Sequence, residues 1–217
     1  MDKETWKQSL RARVRPLVLA LDRVGATPLT ISIVGLLISA VSGWIVARGS
    51  LFAGGIVFLI GSGLDLLDGD LARLQGTVSR RGAFLDSCFD RLGESALFAG
   101  LAWYFMAAAK PNWELAVLLI VLTVVGSLTT SYVRARAEGV GETCTVGWLQ
   151  RPERVVLLAG GMILGWVVLE AVLLVLAVAT LVTTGQRIVH VARKLPGPPP
   201  RSTAPGGAGD DGSGSGP

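Results

Sequence analysis

The sequence predicts an all-α integral membrane protein, with six transmembrane helices preceded by an N-terminal amphipathic interfacial helix. Three observations carry this. Of its 217 residues 51% are hydrophobic and the mean hydropathy is +0.56, too apolar for an ordinary soluble domain and suited to one polytopic membrane domain. Apolar stretches recur at about the 20-residue length that a bilayer requires. The Lys and Arg residues gather in alternate connections between those stretches.

Residues 3–24 mix Lys3, Lys7, Arg11, Arg13, Arg15 and Arg23 with Trp6, Leu10, Val14, Leu17 and Leu21. The apolar set recurs at three- and four-residue steps, as expected of a helix lying on an anionic membrane surface. Pro16 is positioned to kink it, and Thr27-Pro28 ends it. Spans are expected over residues 29–47, 52–72, 82–106, 113–133, 154–169 and 171–191. The last two could be one helix, but about 38 residues at 1.5 Å each would reach about 57 Å, too long for a bilayer. A tight hairpin around Glu170 is the better reading, with Gly160, Gly161 and Gly165 allowing close packing.

The N-terminal helix, the 73–81 loop, the 134–154 loop and the tail after 186 carry nearly all the cations. The opposite loops carry little beyond Arg48 and Lys110. Positive charge on the inside makes both termini and both charged loops cytoplasmic, in a multi-pass plasma-membrane protein. Residues 1–195 form the membrane domain, and residues 196–217, rich in Pro, Gly and Ser, form a disordered tail. The N-terminus lacks the charge-then-apolar order of a cleaved signal peptide. Cys88 and Cys144 have no zinc or disulfide spacing, and no Walker-type loop or nucleic-acid motif is found.

The chemistry concentrates in Asp65-Leu-Leu-Asp68-Gly69-Asp70-Leu-Ala72-Arg73 and Gly82-Ala-Phe-Leu-Asp86-Ser-Cys-Phe-Asp90. Asp65 and Asp68 are three apart and Asp86 and Asp90 four apart, so each pair shares a helix face. Two antiparallel helices joined by the short 73–81 loop can bring the faces together. An ionised carboxylate inside a bilayer costs roughly 2.5–3.5 kcal/mol on insertion scales. Four together repel one another unless cations neutralise them, and hard divalent ions with oxygen ligands meet that need. Two such ions can clamp a diphosphate, and a carboxylate left partly free can serve as general base. Gly69 and Gly82 leave room beside the acids for backbone or phosphate. The plainer alternative pairs the acids with Arg73, Arg80, Arg81 and Arg91 at the interface. Asp70 falls on another face, and Glu94 continues the Asp86–Asp90 stripe as a supporting residue or the partner of an arginine.

The pattern D-x2-D-G-x2-A-R-x8-G-x3-D-x3-D resembles, residue for residue, the signature of the CDP-alcohol phosphatidyltransferase family. The resemblance implies a membrane enzyme with six spans, usually homodimeric, that moves a phosphatidyl-type group from a CDP-linked lipid to an alcohol and releases CMP. It implies that Asp65, Asp68, Asp86 and Asp90 bind two divalent ions, Mg2+ or Mn2+, with Asp90 as general base. It places Gly69, Arg73 and Ser79 on the CDP portion. In Pro28-Leu29-Thr30-Ile31-Ser32, Leu29 stands where members often carry a polar residue, and the resemblance implies that Ser32, in the place of a threonine, is a fourth contact to the CDP-linked lipid.

Arg134, Arg154 and Arg187 stand at the cytoplasmic ends of three different spans. Guanidiniums suit bidentate phosphate contacts, so a convergent set would hold an acceptor that itself carries phosphate. Taken singly, each could be ordinary flanking charge. Ser131-Tyr132-Val133-Arg134-Ala135-Arg136-Ala137-Glu138 and Arg151-Pro152-Glu153-Arg154 are similar to segments of family members that make phosphatidylinositol phosphate or archaetidylinositol phosphate. That implies inositol 1-phosphate as acceptor and CDP-diacylglycerol as donor. Glycerol 3-phosphate is the competing acceptor, since both carry phosphate. A cation or proton transporter using the buried acids is the competing class.

Overall fold

The computed structural model describes residues 14–195, all helical apart from the connections. These form α1 (residues 14–23), α2 (Pro28–Ala47), α3 (Leu51–Leu74), α4 (Arg80–Ala107), α5 (Trp113–Gly139), α6 (Arg151–Leu164) and α7 (Trp166–Lys194). Most of the first half of the expected interfacial helix, including Trp6 and Leu10, and the tail 196–217 lie outside the described residues. Within α1, Val14, Val18 and Leu21 turn inward onto Ile31, Leu67 and Leu71, while Leu17 is exposed. The described part of α1 is thus docked on α2 and α3 through one stripe, with Leu17 outside it.

Local signals fix the helix ends. Thr27 caps α2, its side chain accepting from Thr30 N, with Pro28 in the first turn. Ser79 caps α4 by accepting from Gly82 N at 3.1 Å. Between α3 and α4 the chain reverses through Gly76, whose φ of +66° favours glycine.

Among the described residues four helices, α2, α3, α5 and α7, are long and apolar enough to cross a membrane, which makes this a multi-pass membrane protein. The helices at the other two expected spans differ for physical reasons. Helix α4 has 28 residues but carries Arg80, Arg81, Asp86, Asp90 and Arg91 between its start and Glu94. Helix α6 has 14 residues, which at 1.5 Å each is about 21 Å, against about 30 Å of hydrocarbon.

Three sequence expectations are corrected. The α6–α7 reversal occurs at Gly165 (φ +107°), not at Glu170, which lies within the first turns of α7. A Cβ on Gly161 would meet Leu169 and Val172 at 3.1–3.2 Å, so this glycine sets the closeness of the hairpin. Helix α5 continues past residue 133 to Gly139, carrying Arg134 and Arg136 on helix rather than loop. Lastly, α3 and α4 do not pack as a simple pair: α2 runs along both, and they touch each other only briefly. Small residues on α2 make this possible. A Cβ on Gly35 would lie 3.2 Å from Gly61 O on α3, and one on Gly43 would lie 2.5 Å from Ala96 O on α4. The apolar core, with Phe58, Leu97, Leu101, Phe105, Leu158, Met162, Leu169 and Leu173, lies between α3, α4, α6 and α7.

Candidate active site

Helix α3 supplies Asp65 and Asp68, and α4 supplies Asp86 and Asp90. Asp65, Asp68 and Asp86 each offer an oxygen within 4.8 Å of the other two. Asp68 is buried and accepts a hydrogen bond from Ser32 Oγ at 2.5 Å, so α2 contributes the support beneath the acids. Asp86 Oδ1 is buried without a hydrogen-bond partner among the described residues. Three converging carboxylates with one orphaned oxygen are a poor arrangement by themselves and a good one around a hard divalent cation. The donor set therefore fits a divalent metal.

Asp90 stands one turn further along α4 and faces arginine. Arg151 Nη2 contacts Asp90 Oδ1 at 2.8 Å, while Arg151 Nη1 donates to Asp65 Oδ2. Arg91 Nη1 lies 3.4 Å from Asp90 Oδ2. Two of the four acids are thus paired with arginine, as the plainer sequence reading allowed, but Arg151 takes the main share. Of the four arginines in that reading only Arg91 takes part. Arg73 instead contacts Asp70 at 2.5 Å on its own helix.

Beyond Arg151 lies the arginine-rich region. Arg134, Arg154 and Arg187 line one cavity of about 150 Å³, together with Arg91, Arg151 and Ser131. Their convergence follows the sequence expectation, but their present engagements differ. Arg187 is buried and donates through Nε to Val146 O at 2.9 Å and through Nη1 to Thr130 O at 2.8 Å. Arg154, also buried, faces Glu94 Oε1 at 3.7 Å, and Glu94 Oε2 accepts from Ser127 Oγ at 3.1 Å. Arg134 is exposed and donates to Glu138 one turn along at 2.9 Å. Glu94 is therefore the partner of an arginine of this cavity. A buried guanidinium is costly unless it is paired and hydrogen-bonded; the two carbonyls meet that need for Arg187, whereas Arg154 has the longer ion pair with Glu94 and its Nε makes no hydrogen bond among the described residues.

On the opposite side of the acids a larger cavity, about 380 Å³, is lined by Ser32, Asp68, Gly69, Arg73, Ser79 and Asp86, among others. All four residues expected on a CDP group border this one space. Ser79 reaches it as the α4 cap, and the Arg73 guanidinium lies beside Gly69, 3.5 Å from where a Cβ would stand. The acids thus sit between a large cavity and an arginine-lined one.

Sequence reasoning missed Arg151 as the partner of the acids, and it named Arg91 only as an interfacial ion pair. The signal for Arg151 was its i,i+3 spacing to Arg154, which puts both on one face of α6.

Residues 26–183 match the profile of the CDP-alcohol phosphatidyltransferase family. The chain is 40% identical over 192 residues to a phosphatidylinositol phosphate synthase of Mycobacteroides abscessus, covering 84% of each chain. It is 32% identical over 176 residues to an archaetidylinositol phosphate synthase of Pyrococcus horikoshii, covering 81% of this chain and 88% of that one. Among solved structures it is similar to Mycobacterium tuberculosis phosphatidylinositol phosphate synthase with CDP-DAG bound. The TM-score is 0.74 at 34% identity, over 81% of this chain and 92% of that one. The same enzyme in complex with manganese and citrate matches with a TM-score of 0.75 at 34% identity, over 82% and 88%. Signature, acid cluster and relatives agree: this chain belongs to the CDP-alcohol phosphatidyltransferase family and is an enzyme of that type.

Proposed function

We propose that this enzyme transfers the phosphatidyl group of CDP-diacylglycerol to inositol 1-phosphate, giving phosphatidylinositol phosphate and CMP. The observation that carries this reading is the placement of the acid cluster between the larger cavity bordered by Gly69, Arg73 and Ser79 and the arginine-lined cavity of Arg134, Arg154 and Arg187. A transferase with two phosphate-bearing substrates needs two anion sites meeting at its reacting centre. The M. tuberculosis relative with CDP-DAG bound supports the donor, and the relatives named for inositol phosphate products support the acceptor.

In this reading Asp65, Asp68, Asp86 and Asp90 hold two divalent ions, Mg2+ or Mn2+; the manganese complex of a relative supports the metal class. Bound there, the metal would neutralise the diphosphate and the charge developing on departing CMP. Ser32 keeps Asp68 oriented through its 2.5 Å hydrogen bond. Arg73, with Gly69 and Ser79, holds the cytidine diphosphate end. Arg134, Arg154 and Arg187 hold the acceptor phosphate and aim its hydroxyl at the lipid-proximal phosphorus. Asp90 takes the hydroxyl proton as the new P–O bond forms and the bond to CMP breaks. The six helices α2–α7 make up the domain in the plasma membrane, the short α6 entering it as one arm of the Gly165 hairpin; both termini and the active site face the cytoplasm, and the enzyme is a homodimer. The acyl chains of the donor stay in lipid while its headgroup enters from the side.

The test is CMP release by purified protein in detergent with CDP-diacylglycerol and Mg2+, offering inositol 1-phosphate, glycerol 3-phosphate or free inositol. Release driven mainly by inositol 1-phosphate is expected. Release driven by glycerol 3-phosphate overturns the acceptor, and cation flux without CMP release overturns the enzyme reading.

A further inference from the structure

Arg151 belongs to both halves of the site, as Arg91 does through its longer contact with Asp90. The Arg151 guanidinium bridges Asp65 and Asp90, contacting Asp90 Oδ1 at 2.8 Å, and it also borders the cavity formed by Arg134, Arg154 and Arg187. It enters from the first turn of α6, a different element from either acid. Two carboxylates that share one guanidinium do not present all their oxygens to a metal. A divalent ion drawn to the Asp65–Asp68–Asp86 cluster therefore meets Arg151 on Asp65 Oδ2, and the two cations share that carboxylate only at the cost of their mutual repulsion. The released guanidinium has a second place to go, because the arginine-lined cavity is adjacent and suited to an anion.

We propose that Arg151 is an exchangeable counter-cation. With the acids metal-free it bridges Asp65 and Asp90; on metal loading it turns into the neighbouring cavity and joins the arginines that bind phosphate there. Loading the metal thereby leaves Asp90 with only the longer Arg91 contact, opening Oδ1 for its proton, and completes the anion site in one movement. This rests on the proposed two-substrate reading of the site. Since coupling between binding sites is reciprocal, phosphate in the arginine cavity must also tighten metal binding.

The experiment measures Mn2+ binding to the purified full-length protein in detergent by loss of the free-ion EPR signal, with no lipid substrate. It compares wild type, Arg151→Gln and Arg151→Lys, each with and without inorganic phosphate. Arg151→Gln removes the competing cation, so Mn2+ binding tightens about tenfold or more, the scale of one charge-assisted hydrogen bond. Arg151→Lys keeps a cation and stays within a few-fold of wild type, which a role limited to packing would not produce. Phosphate tightens Mn2+ binding in wild type and has a markedly smaller effect in Arg151→Gln; phosphate's own association with Mn2+ is common to both. Equal or weaker Mn2+ binding by Arg151→Gln overturns the proposal, as does phosphate coupling undiminished by that change. Should Arg151→Gln fail to stay monodisperse, the Arg151→Lys and wild-type comparison decides: Mn2+ binding by Arg151→Lys more than tenfold from wild type overturns the exchange. Absence of CMP release from wild type would instead strike the proposed function and leave these readings intact.

Discussion

Replacing Arg187 with alanine tests whether the arginine proposed to bind acceptor phosphate also holds the acceptor cavity together. Arg187 is 6% exposed. Its two bonds, to Val146 O at 2.9 Å and Thr130 O at 2.8 Å, tie the α5–α6 connection and α5 itself to α7. Hydrogen bonds from a charged donor are worth about 1.5–3 kcal/mol each, so losing both removes about 3–6 kcal/mol before relaxation. The adjoining cavity of about 150 Å³ admits water to the freed carbonyls. That places the expected loss near the low end, about 3 kcal/mol. For a protein of this size each kcal/mol moves the melting midpoint by about 2–4 °C, so a fall of about 6–12 °C is expected. Arg187→Lys keeps the charge, but a single ammonium does not reproduce the planar fork, so it recovers about half. The assay is thermal unfolding in detergent followed by tryptophan fluorescence, beside the acceptor KM. An Arg187→Ala protein with an unchanged midpoint and only a raised KM would refute the reasoning, since the two bonds would then carry no structural load.

Three further outcomes follow from the geometry. Asp90→Asn lowers CMP release by about 10²–10⁴-fold, the usual worth of a general base, while equilibrium binding of CDP-diacylglycerol persists; full turnover from folded protein removes Asp90 from that role. Ser32→Ala leaves Asp68 without its 2.5 Å hydrogen bond, and Mn2+ affinity drops about 10–100-fold, as is typical when a supporting partner of a metal ligand is lost. Titration of both proteins with Mn2+ checks this. Gly100→Ala drives a methyl into the Gly43 backbone across the α2–α4 contact. That strain cannot be relieved by a rotamer and costs about 1–3 kcal/mol, read as a lowered melting midpoint. An unchanged midpoint would mean that α2 and α4 separate freely.

The legible parts of this protein were those encoded in local spacing. Asp65 and Asp68, or Asp86 and Asp90, share faces because of helical periodicity alone, and the break at Thr27-Pro28 is equally local. What could not be read was which helix lies between which. Nothing in the 75–79 connection signals that α3 and α4 are held apart by α2; that depends on Gly35 and Gly43 meeting residues distant in sequence. The partner of Asp65 and Asp90 was hidden for the same reason, since Arg151 is far along the chain and reaches them only through the packing of α6 on α3. Glu170 suggested a turn because hydropathy registers its charge, whereas the backbone turns five residues earlier at the glycine able to take φ +107°.

The first turn of α6 has an unusual electrostatic make-up. Arg151 and Arg154 occupy the end of the helix where the aligned peptide dipoles are already positive, and Gln150 adds no side-chain cap. Glu153 is the only acidic residue within that turn. The turn is therefore stabilised from outside, by Asp65 and Asp90 on Arg151 and by Glu94 facing Arg154. Its winding is tied to anions on other helices, so amide exchange there should report the charge state of the neighbouring carboxylates more directly than any amide in the apolar core.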